Sequence, residues 1–163
     1  MIFETRYLAI YLQDHLAGAT GGLELARRAR DSHSGTPLGD FLAELAGEIE
    51  EDRDRLIEIM RFCEVDEDRI KVAAAWAGEK LGRLKLNGEI VSRSPLSTVV
   101  ELEGLYVGIS GKLSLWRNLE RAMGEHLARF ALPELIERAE RQRDGVEQQR
   151  LEIVSESLAL ASA

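Results

Sequence analysis

The amino-acid sequence predicts an all-α protein built as a four-helix bundle. Long stretches repeat apolar residues with the period of a helix, all three prolines stand just before such stretches, and no segment has a convincing strand pattern. The spacing predicts four long helices over about residues 4–31, 37–63, 95–128 and 133–159. The 163 residues are enough for one domain, residues 1–163, with a single core.

The predicted helix starts follow from proline and capping chemistry. Pro37, Pro95 and Pro133 suit a first helical turn, where the missing amide proton would have no partner within the helix. Thr36 and Ser94 precede two of these prolines and can accept hydrogen bonds from the first free amides. These signals therefore place the starts of the second, third and fourth long helices.

The connection between the second and third long helices decides the expected topology. A crossover helix over residues 67–83 would span roughly 25 Å at 1.5 Å per residue. That length carries the chain from one end of the bundle to the other, so the third long helix would run antiparallel to the first. The following piece LKLNGEIV, residues 84–91, could form a short hairpin, which is marginally stable alone.

Composition and charge exclude several classes of function. The net charge is −8, and the basic residues are mixed with acidic ones, which argues against a nucleic-acid partner. Cys63 is the only cysteine, so no intrachain disulfide is possible. Glu4, Arg6 and Asp14 interrupt the first apolar run, so we expect neither a signal peptide nor a membrane span. A cytoplasmic location is the expectation.

Six glycines form two stripes, one on the first long helix and one on the third. They are Gly18, Gly21 and Gly22, and Gly104, Gly108 and Gly111. Each costs a helix roughly 1 kcal/mol relative to alanine, so packing or function must favour them. Pairing Gly18 with Gly111 and Gly21 with Gly108 keeps one antiparallel register, which predicts close backbone packing. The alternatives are a glycine-lined dimer surface and a groove for a ligand that approaches the backbone.

Asp52 falls on the apolar seam of the second helix, where a carboxylate is unexpected. Antiparallel pairing sets His15 opposite Asp52, and the seam of the fourth helix brings Arg143 to the same height. A buried carboxylate needs partners, so the favoured interpretation is a structural triad in which Asp52 accepts hydrogen bonds from His15 and Arg143.

Two other interpretations of this polar set remain open. His15 and Asp52 could be ligands of one metal ion together with Asp14, Glu48 or Glu147, and iron, manganese or zinc would suit such ligands. The same groups could instead line a polar pocket in the core that binds or acts on a small molecule.

Two stretches carry a resemblance to known proteins. YLQDHLAGATGGLELARR and EKLGRLKLNG resemble segments of small bacterial proteins, which implies no activity.

Over about residues 4–159, the four long helices with one crossover resemble the ferritin-like superfamily. Its catalytic members hold two metal ions with glutamates and Glu-x-x-His motifs. The nearest counterparts here, Glu48-x-x-Glu51 and Glu137-x-x-Glu140, lack the histidines, so the resemblance implies the fold without the dimetal site.

The expected function is therefore that of a non-catalytic ferritin-like bundle that acts through oligomerisation or a protein partner. No catalytic residue is assigned, and no resident cofactor is expected. The alternative is a metal-binding or small-ligand-binding bundle that uses His15 and Asp52.

Overall fold

The computed structural model describes residues 5–65 and 95–157, and four long helices make up most of these residues. They are α1 (Thr5–Ser32), α2 (Pro37–Phe62), α3 (Pro95–Met123) and α4 (Leu132–Ser157), with a short 3-10 turn at Ala128–Phe130 before α4. The predicted all-α four-helix bundle is confirmed. The expected crossover helix at 67–83 and hairpin at 84–91 lie outside the described residues.

The turn between α1 and α2 is built from residues that suit it. Gly35 has a φ of 78°, a conformation that glycine adopts without strain. Thr36 is extended, and its hydroxyl accepts a hydrogen bond of 3.1 Å from the Gly39 amide. Pro37 begins the helix, as the capping pattern predicts. A Cβ at Gly39 would lie 2.1 Å from the His33 carbonyl oxygen, so this position requires glycine.

Helix α3 ends at Met123, five residues before the end that the apolar pattern predicts, so that predicted boundary is wrong. Gly124 follows directly, and its low helix propensity favours an end at this point. The chain then turns through the 3-10 segment and a left-handed residue, Ala131. Pro133 lies in the first turn of α4.

Contacts at both ends show that α1 and α3 run antiparallel. Near the α1–α2 turn, the Thr98 hydroxyl lies 3.2 Å from His33 Nε2. Near the other end, the Asn118 amide donates a hydrogen bond of 2.9 Å to the Tyr11 hydroxyl. Helix α1 packs against α2 and α3, and α4 packs against α3 and α2. The expected antiparallel pairing of the first and third long helices is therefore present.

The core divides into two apolar clusters. The cluster nearer the α3–α4 turn contains Leu16, Leu56 and Trp116, among others, and we call it the α3–α4 cluster. The cluster nearer the α1–α2 turn includes Leu23 and Ile109, and we call it the α1–α2 cluster. No helix within the described residues is long and apolar enough to cross a membrane.

Candidate functional site

Asp52 occupies the boundary between the two apolar clusters. On α2 it lies between Ile49 of the α1–α2 cluster and Leu56 of the α3–α4 cluster. Its exposed fraction is 1%, so the predicted burial of this carboxylate is confirmed. A carboxylate at this depth loses its hydration and requires hydrogen-bond donors from the protein.

The donors come from α3 and α4. Lys112 Nζ lies 2.5 Å from Asp52 Oδ2, Arg138 donates to Oδ1, and Gln142 Nε2 lies 3.3 Å from Oδ2. Gln142 also accepts from Lys112 and donates a hydrogen bond of 2.8 Å to Glu48. We call Asp52, Lys112, Arg138 and Gln142 the polar layer. It links α2, α3 and α4 through one carboxylate.

Burial governs the electrostatics of the polar layer. It lowers the pKa of Lys112, because removal from water disfavours the ammonium, although the Asp52 charge opposes this shift. Arg138 adds a second positive charge near Lys112 and also disfavours its charged form. Asp52 thus stands between two cations, one of which lies in a strongly desolvated position.

The structure contradicts the expected contact between Arg143 and Asp52. Arg143 pairs instead with its neighbour Asp144, at 2.7 Å, on the surface of α4. The expected register aligned the C-terminal end of the fourth helix with the N-terminal end of the second helix. In the structure, α4 is placed differently along α2, so that Arg138 and Gln142 face Asp52. Helix α4 buries the side chain of Gln142, whereas the expected apolar face placed Arg143 in the core. The Arg143 guanidinium lies on the surface of the bundle.

His15 lies near Asp52 but does not complete the expected triad. Both residues line the same cavity, yet all the described hydrogen bonds to the Asp52 carboxylate come from α3 and α4. The imidazole is half-buried and packs edge-on against Tyr11, with ring centroids 4.6 Å apart. Burial lowers the pKa of His15, while the nearby Asp14 carboxylate opposes the shift.

The cavity lies between α1, α2 and α3, beside the polar layer, and has a volume of about 210 Å³. Its mouth includes the exposed residues Asp14, Gly18 and Val107. Asp52 and Lys112 also line it. The interior is therefore a mostly apolar space next to a buried ion pair.

Four of the six stripe glycines line this cavity: Gly18, Gly22, Gly108 and Gly111. A Cβ added at any of these four would meet no heavy atom within 4 Å. The predicted close packing is therefore not found at these four positions. Only Gly104 of the third-helix stripe has a tight neighbour, Leu25, at 3.0 Å.

Large side chains explain why the glycines leave space. Leu16 and Trp116 belong to the α3–α4 cluster, while Leu23 and Leu105 belong to the α1–α2 cluster. These side chains flank the glycines along the bundle. Between them α1 offers only small residues such as Ala19, so the space at this height stays unfilled.

Trp116 places a hydrogen-bond donor without a partner at the cavity. Its side chain is 1% exposed and lines the cavity, and its buried Nε1 makes no hydrogen bond in the described structure. Indole can only donate at this atom, and a buried donor without a partner is costly. The Nε1 atom is therefore an unsatisfied donor in the core beside the cavity.

The expected metal ligands do not come together. Glu147 pairs with Arg150 at 2.7 Å, and Glu48 accepts from Gln142 in the polar layer. Among residues 5–65 and 95–157, no group of three or more histidine, cysteine or acidic side chains is arranged to hold a metal ion.

Sequence reasoning missed Lys112, Trp116, Arg138 and Gln142 as members of this site. One signal was available on α3, where Lys112 follows the buried Ile109 by three residues and precedes the buried Trp116 by four. That spacing places a lysine on the apolar face. Helix α4 offered a weaker signal. Identifying Gln142 instead of Arg143 as the buried residue requires knowledge of how α4 aligns with α2.

Comparison with known proteins identifies no relative. No family model, no curated protein and no solved structure matches the chain.

Proposed function

We propose that the protein binds a small, largely apolar molecule in the cavity between α1, α2 and α3. The observation that carries the proposal is a space of about 210 Å³ with mostly apolar walls, which Lys112 and Asp52 also line. Binding pockets in proteins combine apolar walls with a few polar groups that fix the orientation of the ligand, and this cavity has that composition.

The volume limits the size of the ligand. An engineered apolar cavity of about 150 Å³ holds benzene, so a cavity of about 210 Å³ has room for one ring with a short substituent. Glycine walls bring the ligand close to the backbone of α1 and α3, because Gly18 and Gly108 carry no side chain.

The polar groups favour a ligand that carries a hydrogen-bond acceptor. Lys112 has three ammonium protons, of which Asp52 and Gln142 accept two. An alcohol, carbonyl or ether oxygen on the ligand would satisfy such donors.

A fluorescence titration with benzyl alcohol tests the proposal. The Trp76→Phe variant leaves Trp116 as the single tryptophan, so its emission reports on the cavity directly. We expect a saturable change in emission and a rise in melting temperature with benzyl alcohol concentration.

Two leucine substitutions locate the bound probe. Gly108→Leu would fill the cavity and abolish the response. Gly47→Leu is the matched control, because Gly47 is an exposed helical glycine that has open space and does not line the cavity. A wild-type response that does not saturate, or that survives Gly108→Leu unchanged, would contradict the proposal.

A second candidate function is self-association or partner binding through α3. The supporting observation is a row of exposed apolar side chains, Leu96, Val100 and Val107, with Val107 exposed to 69%. Sedimentation of the wild type and of a Val100→Lys, Val107→Lys variant tests it. A wild-type protein that sediments as a monomer at all concentrations would exclude self-association.

We also propose that the bundle is a distant ferritin-like relative. The antiparallel pairing of α1 with α3 supports this relationship, since a crossover between the second and third helices would produce it. Lys112 and Arg138 beside Asp52 make the layer a poor site for a pair of metal ions, so the proposed relationship concerns the fold and excludes the dimetal chemistry.

A further inference from the structure

We infer that Lys112 forms a covalent imine with a small aldehyde or ketone that enters the cavity. This inference rests on the proposed ligand-binding function, because the carbonyl compound must occupy the same space. It goes beyond that function by assigning a reactive group and a chemical class of ligand.

The geometry places an amine and a carboxylate on the wall of the cavity. Lys112 and Trp116 both line the cavity and are four residues apart on α3, so they share one face of the helix. A carbonyl compound in the cavity would therefore lie beside Lys112. Asp52 also lines the cavity and lies 2.5 Å from Lys112 Nζ, close enough to exchange a proton.

Burial favours the neutral, nucleophilic form of Lys112. Helix α2 contributes Asp52 and Glu48, and α4 contributes Arg138 together with the neutral Gln142. Removal from water disfavours the ammonium most strongly, Asp52 and Glu48 oppose this effect, and Arg138 adds to it. Burial lowers the pKa of Lys112 in agreement with this reasoning, and desolvated lysines are a common source of amine nucleophiles.

The remaining titratable groups at the cavity belong to α1 and α2. His15 of α1 lines the wall with a pKa that burial lowers, so the ring is neutral near pH 7. Asp14 and Arg53 carry opposite charges and also line the cavity. These groups add no net positive charge near the amine.

The reaction balances within the site. Asp52 accepts a proton from the Lys112 ammonium, and the amine lone pair attacks the carbonyl carbon. The carbon–oxygen π electrons move to the oxygen, and a proton passes from nitrogen to oxygen to give a carbinolamine. Asp52 then returns its proton to the hydroxyl group, which leaves as water while the carbon–nitrogen double bond forms. Ammonium and carbonyl compound thus become iminium and water, and Asp52 ends as a carboxylate.

Reductive trapping with benzaldehyde and sodium cyanoborohydride tests the inference on the full chain. Peptide mapping by mass spectrometry measures the rate of benzyl labelling at Lys112. The other lysines, Lys71, Lys80 and Lys85, are internal references. We expect Lys112 to be labelled at least about tenfold faster than they are, because the cavity positions the carbonyl group beside the amine.

Benzyl alcohol and the Gly108→Leu variant complete the design. Benzyl alcohol has the same ring without the carbonyl group, so it should protect Lys112 from labelling. Gly108→Leu fills the cavity, so it should slow the labelling of Lys112 to the rate of the other lysines.

The outcomes separate this inference from the proposed function. Labelling of Lys112 no faster than the other lysines, in a protein that binds benzyl alcohol, would overturn the inference and leave the ligand-binding proposal standing. Fast labelling that benzyl alcohol does not block would also overturn it, because the aldehyde would not be reacting from the cavity. Failure of both binding and labelling would overturn both proposals.

Discussion

The α1–α3 and α2–α4 interfaces differ in how the space between the helices is filled at the level of Asp52 along the bundle axis. Between α2 and α4, the space is filled by Asp52, Arg138 and Gln142, which satisfy one another. Between α1 and α3, glycines leave an open cavity instead. Lys112 of α3 belongs to both regions, because it pairs with Asp52 and lines the cavity. The α2–α4 side of the polar layer is thus filled by charged and polar side chains that pair with one another, and the α1–α3 side is available to a ligand.

This difference determines how each side should respond to substitution. Removing a group from the charged side leaves another buried charge without a partner, which is among the most destabilising changes in a core. Adding a group to the cavity side fills space that is already present, which costs little or stabilises the helix. The predictions below test that contrast.

The largest effect is expected for Asp52→Ala. The substitution leaves the buried Lys112 ammonium without its carboxylate partner and Arg138 with only the exposed Glu51, so we expect a loss on the order of 3 to 5 kcal/mol in the free energy of unfolding. Asp52→Asn should cost less, because the amide still accepts hydrogen bonds. Chemical denaturation of both variants measures the loss.

Asp54→Ala is the control for this prediction. Asp54 lies two residues further along α2, where its exposed carboxylate pairs with Arg53. Exposed pairs contribute little, so we expect a change of roughly 0 to 1 kcal/mol. Equal losses at Asp52 and Asp54 would show that the polar layer has no special role in stability.

The next prediction compares two arginines of α4. Arg138→Met removes a charged donor from buried Asp52, and we expect a loss of about 2 kcal/mol in the free energy of unfolding. Arg143→Met should cause no measurable change, because Arg143 pairs only with Asp144 on the surface in the described structure. Thermal or urea denaturation of the two variants measures both changes in the free energy of unfolding. A larger loss at Arg143 would support the register that the sequence alone suggested.

This pair also shows what the sequence could and could not determine. The all-α class, the α2 cap at Thr36 and the burial of Asp52 follow from local spacing and chemistry, and all three are confirmed. The partner of Asp52 depends on how far α4 slides along α2. Arg138 precedes Arg143 by five residues and Gln142 precedes it by one, so both the position and the rotation of α4 decide the partner, and no local signal fixes either.

The glycine stripes illustrate the same limit on another interface. Their spacing correctly indicated that α1 and α3 face each other, since Leu25 approaches Gly104 in the antiparallel register. Large side chains such as Trp116 and Leu105 flank the glycines, and whether the space between them is filled depends on the packing of the whole bundle. Sequence spacing therefore predicted the facing surfaces but could not distinguish contact from a cavity.

A smaller effect of opposite sign is expected for Gly108→Ala. A Cβ at this position meets no atom within 4 Å, and alanine favours a helix over glycine by roughly 1 kcal/mol, so the protein should become more stable by about that amount. Gly104→Ala is the matched variant on the same helix. It should gain less, because Leu25 would have to move from its position 3.0 Å away. Melting temperatures of the two variants show which one gains more stability. A loss of stability in Gly108→Ala would support close backbone packing of α1 and α3 at this position.

The smallest effect concerns His15 and the dependence of stability on pH. Burial lowers the pKa of His15 below its ordinary value of 6.5, so the unfolded chain binds a proton more readily than the folded protein in that range. Stability from the neutral, buried ring is therefore present above pH 6.5. It is lost as the pH falls from 6.5 through the lowered pKa of the folded state.

Melting temperatures at about pH 7.5 and about pH 5.5 measure this effect, because the unfolded-state pKa of histidine lies between them. The wild type should lose more stability on acidification than His15→Gln does, since glutamine gains no proton in this range. His126→Gln is the control for removal of an exposed histidine and should follow the wild type. If His15→Gln and the wild type lost stability equally, the ring would have to be hydrated in the folded protein, and the wall of the cavity near His15 would be more polar than its neighbours on α1 and α3 indicate.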